Sequence, residues 1–309
     1  MMRHSLLWLS EQKQVFRFVR GNPLARKFAH RFVAGETIDS AVQAAKDLNG
    51  RKITATLDLL GESITEAAQA AAARDTYLQM LDAIAKAGVQ SNVSVKLTQM
   101  GFDIGEDLCL ANMTAILDKA KAHGSFVRLD MESSAYTQRT LDFFYQKLHS
   151  TYGNTVGVVI QSALRRSAAD VDLLIEKGVR VRLCKGAYLE PADVAFPDKA
   201  DVDKNYVMLM ERLMERGNYP GLATHDQVIL ERAKAFAAQQ KIDPARFEFQ
   251  MLYGVRRDLQ DQLRTGGFNM RVYVPFGTQW YPYLMRRLAE RPANIAFIMG
   301  NVVKEAVGR

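Results

Sequence analysis

Eight short runs of apolar and β-branched residues recur along this chain, alternating with amphipathic stretches of roughly 12–20 residues, and that alternation marks repeated βα units. The runs are ITATLDLL (53–60), NVSVKLTQ (92–99), SFVRLDME (125–132), VGVVIQSA (156–163), VRVRLCKG (179–186), GLATHD (221–226), FEFQMLYG (247–254) and NMRVYVPFG (269–277). Helical patterns lie between them, such as 63–88 and 167–178, the second closed by Gly178. Eight strands alternating with helices, with no break in composition, predict an α/β fold: a (β/α)8 barrel of the TIM type, distorted from the ideal. An open doubly wound sheet would carry a glycine fingerprint after its first strand, and LDLLGES has no GxGxxG. Residues 1–48 read as an N-terminal helical segment interrupted at Gly21-Asn22-Pro23, and 49–309 as the barrel.

A chain of 309 residues is long for one simple core but within reach of a single barrel. The net charge of +7 comes from scattered basic residues, with no basic stripe interleaved with aromatics, so nucleic acid is not an expected partner. The positive balance suits an anionic ligand or an anionic membrane surface equally well. Two cysteines, Cys109 and Cys184, make no disulfide framework, and no Cys/His spacing predicts a metal site. No apolar stretch is long enough to span a bilayer. The expectation is a cytoplasmic protein, at most peripheral on the inner face of the membrane.

Barrels of this kind do their chemistry at the C-terminal ends of the strands. There the sequence places Glu62 after the first run and Lys96 late in the second, with Asp130 and Glu132 on the third. Gln161, Arg182 and Lys185, then Thr224, His225 and Asp226, and finally Tyr273 follow on later runs. Lys96 and Arg182 each stand between apolar neighbours, which turns them into the barrel. Each has a plainer reading. Lys96 or Arg182 could pair with Asp130 as a buried ion pair, and His225 could be a satisfied core histidine. Arg182, Lys185 and the Lys185-Gly186-Ala187 turn combine two cations with a close backbone approach, which suits a pyrophosphate.

The segment Tyr281-Pro282-Tyr283-Leu284-Met285-Arg286-Arg287-Leu288-Ala289-Glu290 reads as a helix. It sets Tyr283, Arg286, Arg287 and Glu290 on one face, while Leu284 and Leu288 fall on another. Two adjacent guanidiniums beside a phenol form a receptor for a small carboxylate. The alternative is a solvated helix face that happens to carry a tyrosine.

In order, SVKLTQMG, VRLDMESS, VVIQSALRRS, VRLCKGAYLEP, LATHD, FEFQMLYGV, RVYVPFG and YPYLMRRLAERPAN resemble the successive motifs of the proline dehydrogenase family, in its stand-alone bacterial form. The likeness runs from about residue 53 to the end, and LDLLGES is similar to the family's first strand and loop. The resemblance implies non-covalently bound FAD and oxidation of L-proline to 1-pyrroline-5-carboxylate, the first step of proline catabolism to glutamate. It also implies electron transfer to a membrane quinone, peripheral membrane contact, and passage of the product to a separate aldehyde dehydrogenase.

Lys96, Arg286 and Arg287 would hold the substrate carboxylate, with Tyr273, Tyr283 and Leu252 as walls around the ring. Asp130 and Arg182 would stand at the catalytic centre, Arg182 near the flavin. Met131 (through its backbone), Gln161, Lys185, Gly186, Ala187, Thr224 and His225 would contact FAD. Glu62 would pair with Arg286 as a gate. No residue is an obvious base, which leaves solvent to take the amine proton. Two enzymatic rivals remain: a Schiff-base aldolase using Lys96 or Lys185, and a flavin-dependent folate reductase. An interaction module on an inactive barrel is the third.

Overall fold

The computed structural model describes residues 31–290, with side chains described as far as Met285. The helical run expected before Pro23 therefore lies outside the described residues, as do the side chains of Arg286, Arg287 and Glu290. Within them the strands are β1 (Thr54–Leu59), β2 (Ser91–Val95), β3 (Val127–Leu129) and β4 (Val156–Gln161). They continue as β5 (Val181–Cys184), β6 (Gly221–Ala223), β7 (Glu248–Leu252) and β8 (Asn269–Phe276). All pair in parallel, and β8 closes on β1 to make a barrel in strict sequence order. The (β/α)8 expectation holds.

Helix α1 (Ile38–Gly50) precedes β1, and its start is fixed by a reciprocal pair in which Thr37 and Ser40 each accept from the other's backbone N–H at 3.2 Å. The crossover helices are α2 (Ala67–Ala87), α3 (Glu106–Ala122), α4 (Ser134–Phe143), α5 (Ser167–Glu176), α6 (Lys199–Arg216), α7 (Gln227–Gln239) and α8 (Arg257–Thr265). Gly88 ends α2 at φ 62°, a left-handed conformation that favours glycine. Helix α9 (Trp280–Glu290) follows β8.

Strand residues alternate between two environments. Ala55, Leu57, Val93, Val95, Val127, Leu129, Val181, Leu183, Val272 and Val274 turn outward and are wholly buried beneath the helices. The inward positions differ from the branched apolar layers that usually fill such a barrel. Thr56, Asp58, Asn92, Ser94, Arg128, Arg182, Glu248 and Gln250 are polar or charged, and buried. Each must then find a partner across the interior. In the lower layer Thr56 donates to Asn92 Oδ1 at 2.6 Å, and Arg271 donates to the same oxygen at 2.8 Å and to Glu248 at 2.7 Å.

At the opposite, C-terminal mouth, the chain before α1 is strapped to the end of β8. Ala34 N–H donates to Pro275 O at 2.9 Å and Gly277 N–H to Gly35 O at 3.0 Å. A small apolar cluster of Val33, Leu60, Trp280, Tyr281, Tyr283, Leu284 and Met285 then packs α9 beside that mouth. Among the described residues, no helix is long and apolar enough to cross a membrane, and no His/Cys/Asp/Glu group could hold a metal.

Candidate active site

Period-two alternation delivers charge to the upper interior: Asp58 from β1, Ser94 from β2 and Lys96 just past it, Asp130 just past β3, Arg182 from β5 and Tyr273 from β8. They form one connected set. Lys96 Nζ lies 3.0 Å from Asp58 Oδ1 and 3.8 Å from Asp130 Oδ2. Arg182 donates to Asp130 Oδ1 at 2.8 Å and, through Nε, to Gln250 Oε1 at 2.6 Å. Asp130 also accepts from Ser94 Oγ at 2.6 Å and from the Tyr273 hydroxyl at 2.7 Å. The Arg182 guanidinium stands 5.1 Å from the Tyr273 ring centroid, within cation–π range. Asp130 is thus the hub, an acceptor for two hydroxyls and one guanidinium with Lys96 close by.

Burial, which would by itself depress Lys96, is outweighed by Asp58, Asp130 and Glu62, and the ammonium is held above its ordinary range. A Schiff-base lysine needs the reverse, so Lys96 is unsuited to the aldolase role. Tyr273 is likewise raised well above its usual value, by burial first and then by Asp130 and Asp58, which keeps it a neutral donor. Both side chains are therefore fixed hydrogen-bond donors.

Asp58 was not among the residues singled out in the sequence, although it is the one carboxylate in an otherwise apolar β1 run. Only 1% of its side chain is exposed. Burial, offset in part by Lys96, raises it to about 6 from an ordinary 3.8. The folded protein thus binds this proton more tightly than the unfolded chain. Its contribution to stability is greatest below about pH 4 and is lost as pH rises through about 6. Asparagine imitates the neutral acid and escapes that loss. Relative to the parent, Asp58→Asn is expected to gain stability as pH rises from 5 to 7.5, because the variant carries no acid that must ionise there. Denaturant titrations at pH 7.5 and pH 5 check this; a stability difference that is the same at both pH values would contradict it.

The second group of expected residues rims the mouth over β4 to β7. Gln161 is buried and donates to Glu132 O at 2.7 Å and to Met131 O at 3.4 Å. Lys185 pairs with Asp203 at 2.6 Å and with Asp226 at 2.8 Å, and Lys199 joins the same two carboxylates. Sequence reasoning missed Asp203 and Lys199, which come from α6 and carry no local signal. Thr224 Oγ1 accepts from Asp226 N–H at 3.1 Å, and His225 Nε2 accepts from Leu252 N–H at 2.9 Å. The histidine, which is only half-buried, thus anchors the end of β7.

Glu62 sits in the loop after β1, where its charge bears on Lys96 and Glu132. Tyr283 is buried in the apolar cluster at the mouth. Arg286 and Arg287 lie on α9 beyond it, with side chains outside the described residues.

A family model described as Proline dehydrogenase matches residues 41–299. The chain is 43% identical over 305 residues to Proline dehydrogenase of Deinococcus radiodurans, covering 98% of both proteins. It is 41% identical over 305 residues to Proline dehydrogenase 1 of Bacillus subtilis, covering 99% of this chain and 100% of that relative. Among solved structures it resembles proline utilization A (PutA) from Bdellovibrio bacteriovorus inactivated by N-propargylglycine, with a TM-score of 0.82 at 26% identity. That likeness covers 96% of this chain but only 39% of the PutA chain. A match of this extent to enzymes of a single name, over a barrel lined with fixed charges, has one interpretation: the chain belongs to the proline dehydrogenase family.

Proposed function

We propose that this protein oxidises L-proline to 1-pyrroline-5-carboxylate with FAD as cofactor and a membrane quinone as final acceptor. The observation that carries the reading is the ion-pair chain Asp58–Lys96–Asp130–Arg182 at the C-terminal mouth, with Tyr273 across it. Proline offers a carboxylate, an amine and an apolar ring, and the mouth answers each with fixed groups. Lys96, with Arg286 and Arg287 of α9, binds the carboxylate. Tyr273, Tyr283 and Leu252 bound the ring. Holding the reacting carbon in one orientation is a large part of what such a site contributes to rate. The amine proton passes to solvent.

The residues of the rim fit a flavin dinucleotide. Gly186 has φ 106°, a conformation that favours glycine, and a Cβ there would stand 2.8 Å from Gln161 Oε1. Lys185 has three N–H donors, of which Asp226 accepts one while Asp203 stands at ion-pair distance, so a donor remains for a phosphate oxygen. Lys185, Gly186 and Ala187 would hold the pyrophosphate, Gln161 and the Met131 backbone the ring system, and Thr224 and His225 the far end. FAD, when bound, supplies the two-electron acceptor and relays those electrons to the quinone.

Asp130 is a positioning residue, aligning Arg182 and Lys96. Glu62 and Arg286 form the gate that closes over substrate. Contact with the quinone calls for peripheral docking at the inner membrane face, and the pyrroline product passes to a separate aldehyde dehydrogenase.

An absorption spectrum tests this reading. The FAD-loaded protein should show flavin bands that bleach on anaerobic addition of L-proline and return on addition of a soluble quinone, with one pyrroline carboxylate formed per flavin reduced. Flavin bands indifferent to proline, or a protein that takes up no FAD, would overturn it.

A further inference from the structure

The opposite end of the barrel holds a second polar cavity. It opens at the N-terminal ends of the strands and has a volume of about 210 Å³. Among the described residues four arginines line it, Arg128, Arg180, Arg182 and Arg271, against a single carboxylate, Glu248. Glu248 is already engaged, since its Oε1 accepts from Arg271 at 2.7 Å and from Gln250 at 2.6 Å. Arg128 and Arg180 are held without carboxylate contact among the described residues. Arg128 donates to Val158 O at 3.0 Å and to Arg180 O at 2.5 Å, and both guanidiniums lie over the Phe126 ring. Burial, then the charges of Arg182 and Arg180, push Arg128 well below its ordinary range, with Glu248 offsetting this only in part.

Two residues of the cavity wall also carry a screened atom with no hydrogen-bond partner among the described residues: Arg180 Nε and Ser125 Oγ. Buried donors are rarely left unmet, and a planar guanidinium is shaped for an oxyanion.

We propose that this lower cavity is a binding site for a small oxyanion, a carboxylate or phosphate, held by Arg128, Arg180 and Arg271. The site is separate from the catalytic mouth yet linked to it. Arg182 bonds Asp130 above, and through Gln250 and Glu248 its hydrogen bonds reach Arg271 below. An anion on Arg271 competes with Glu248 and so pulls on the chain that positions Arg182.

Calorimetric titration of the FAD-loaded full chain with inorganic phosphate, and separately with malonate, tests the site. At least one is expected to show saturable binding that weakens about tenfold or more in Arg180→Met, whose side chain is only partly buried. Phosphate alone identifies a phosphate site and malonate alone a carboxylate site; either supports the proposal. No saturable binding, or an isotherm unchanged in Arg180→Met, overturns it. Should that variant not fold, crystals of the parent soaked in selenate decide the matter instead. Anomalous density is expected between Arg128, Arg180 and Arg271, and density only elsewhere, or none, removes the site.

Discussion

Arg182→Met is expected to cut the rate of flavin reduction by proline by about a hundredfold to a thousandfold, the range found when one fixed electrostatic donor is removed from an active site. The argument rests on how tightly this guanidinium is held. It is fixed from three sides by Asp130, Gln250 and Ser94, and only 7% of its side chain is exposed. A cation so fixed costs no reorganisation when charge develops on the reacting groups.

Methionine keeps much of the volume and removes the charge, so Asp130 is left with Lys96 at 3.8 Å as its nearest cation. Arg182→Lys separates charge from shape. It retains a positive group but cannot reach Asp130, Gln250 and Ser94 together, and should fall between the parent and the methionine variant. Stopped-flow reduction at saturating proline isolates the chemical step from binding. A rate within a few-fold of the parent would show that Arg182 is only an internal strut.

The barrel was legible in the sequence because its two periods are both strong. Outward strand positions such as Leu57, Val95 and Leu183 announce strands, and the intervening segments announce helices. The polar lining was harder to see. Each strand reads as an apolar run in which an isolated Asp58, Ser94 or Gln250 looks incidental, and only the closed topology shows that they face one another. A pair between Lys96 and Asp130 is the plainer alternative for that lysine in the sequence, yet Asp58 on the adjacent β1 is nearer, at 3.0 Å against 3.8 Å. The pairing of Arg182 with Asp130, read in the sequence as the plainer alternative to a functional role, is present. The two readings are compatible, since a side chain must be held to be useful. Partners from distant helices, such as Asp203 for Lys185, leave no trace in local pattern.

Asp130→Asn should destabilise more than Asp58→Asn at pH 7.5, though the two carboxylates flank the same lysine. Asp58 serves a single cation from a fully buried position, and burial dominates its energetics. Asp130 accepts from Arg182, Ser94 and Tyr273, and 12% of its side chain is exposed. Its removal strands Arg182, whose remaining partners are neutral, and breaking a buried pair from one side costs about 3–5 kcal/mol. Thermal unfolding should move down by roughly 5–15 °C. Asparagine retains one oxygen, enough for Tyr273 or Ser94 but not for both and the guanidinium, so Asp130→Ala should lose more.

The two sites should also fail to add. Asp130 is one of the charges that raise Asp58, so its loss lets Asp58 ionise more readily and tightens its hold on Lys96. The double variant Asp58→Asn/Asp130→Asn loses that compensation and leaves Lys96 without either carboxylate. It should be less stable than the sum of the single changes predicts. Strict additivity in denaturant titrations at pH 7.5 would mean that Lys96 is not shared between the two acids.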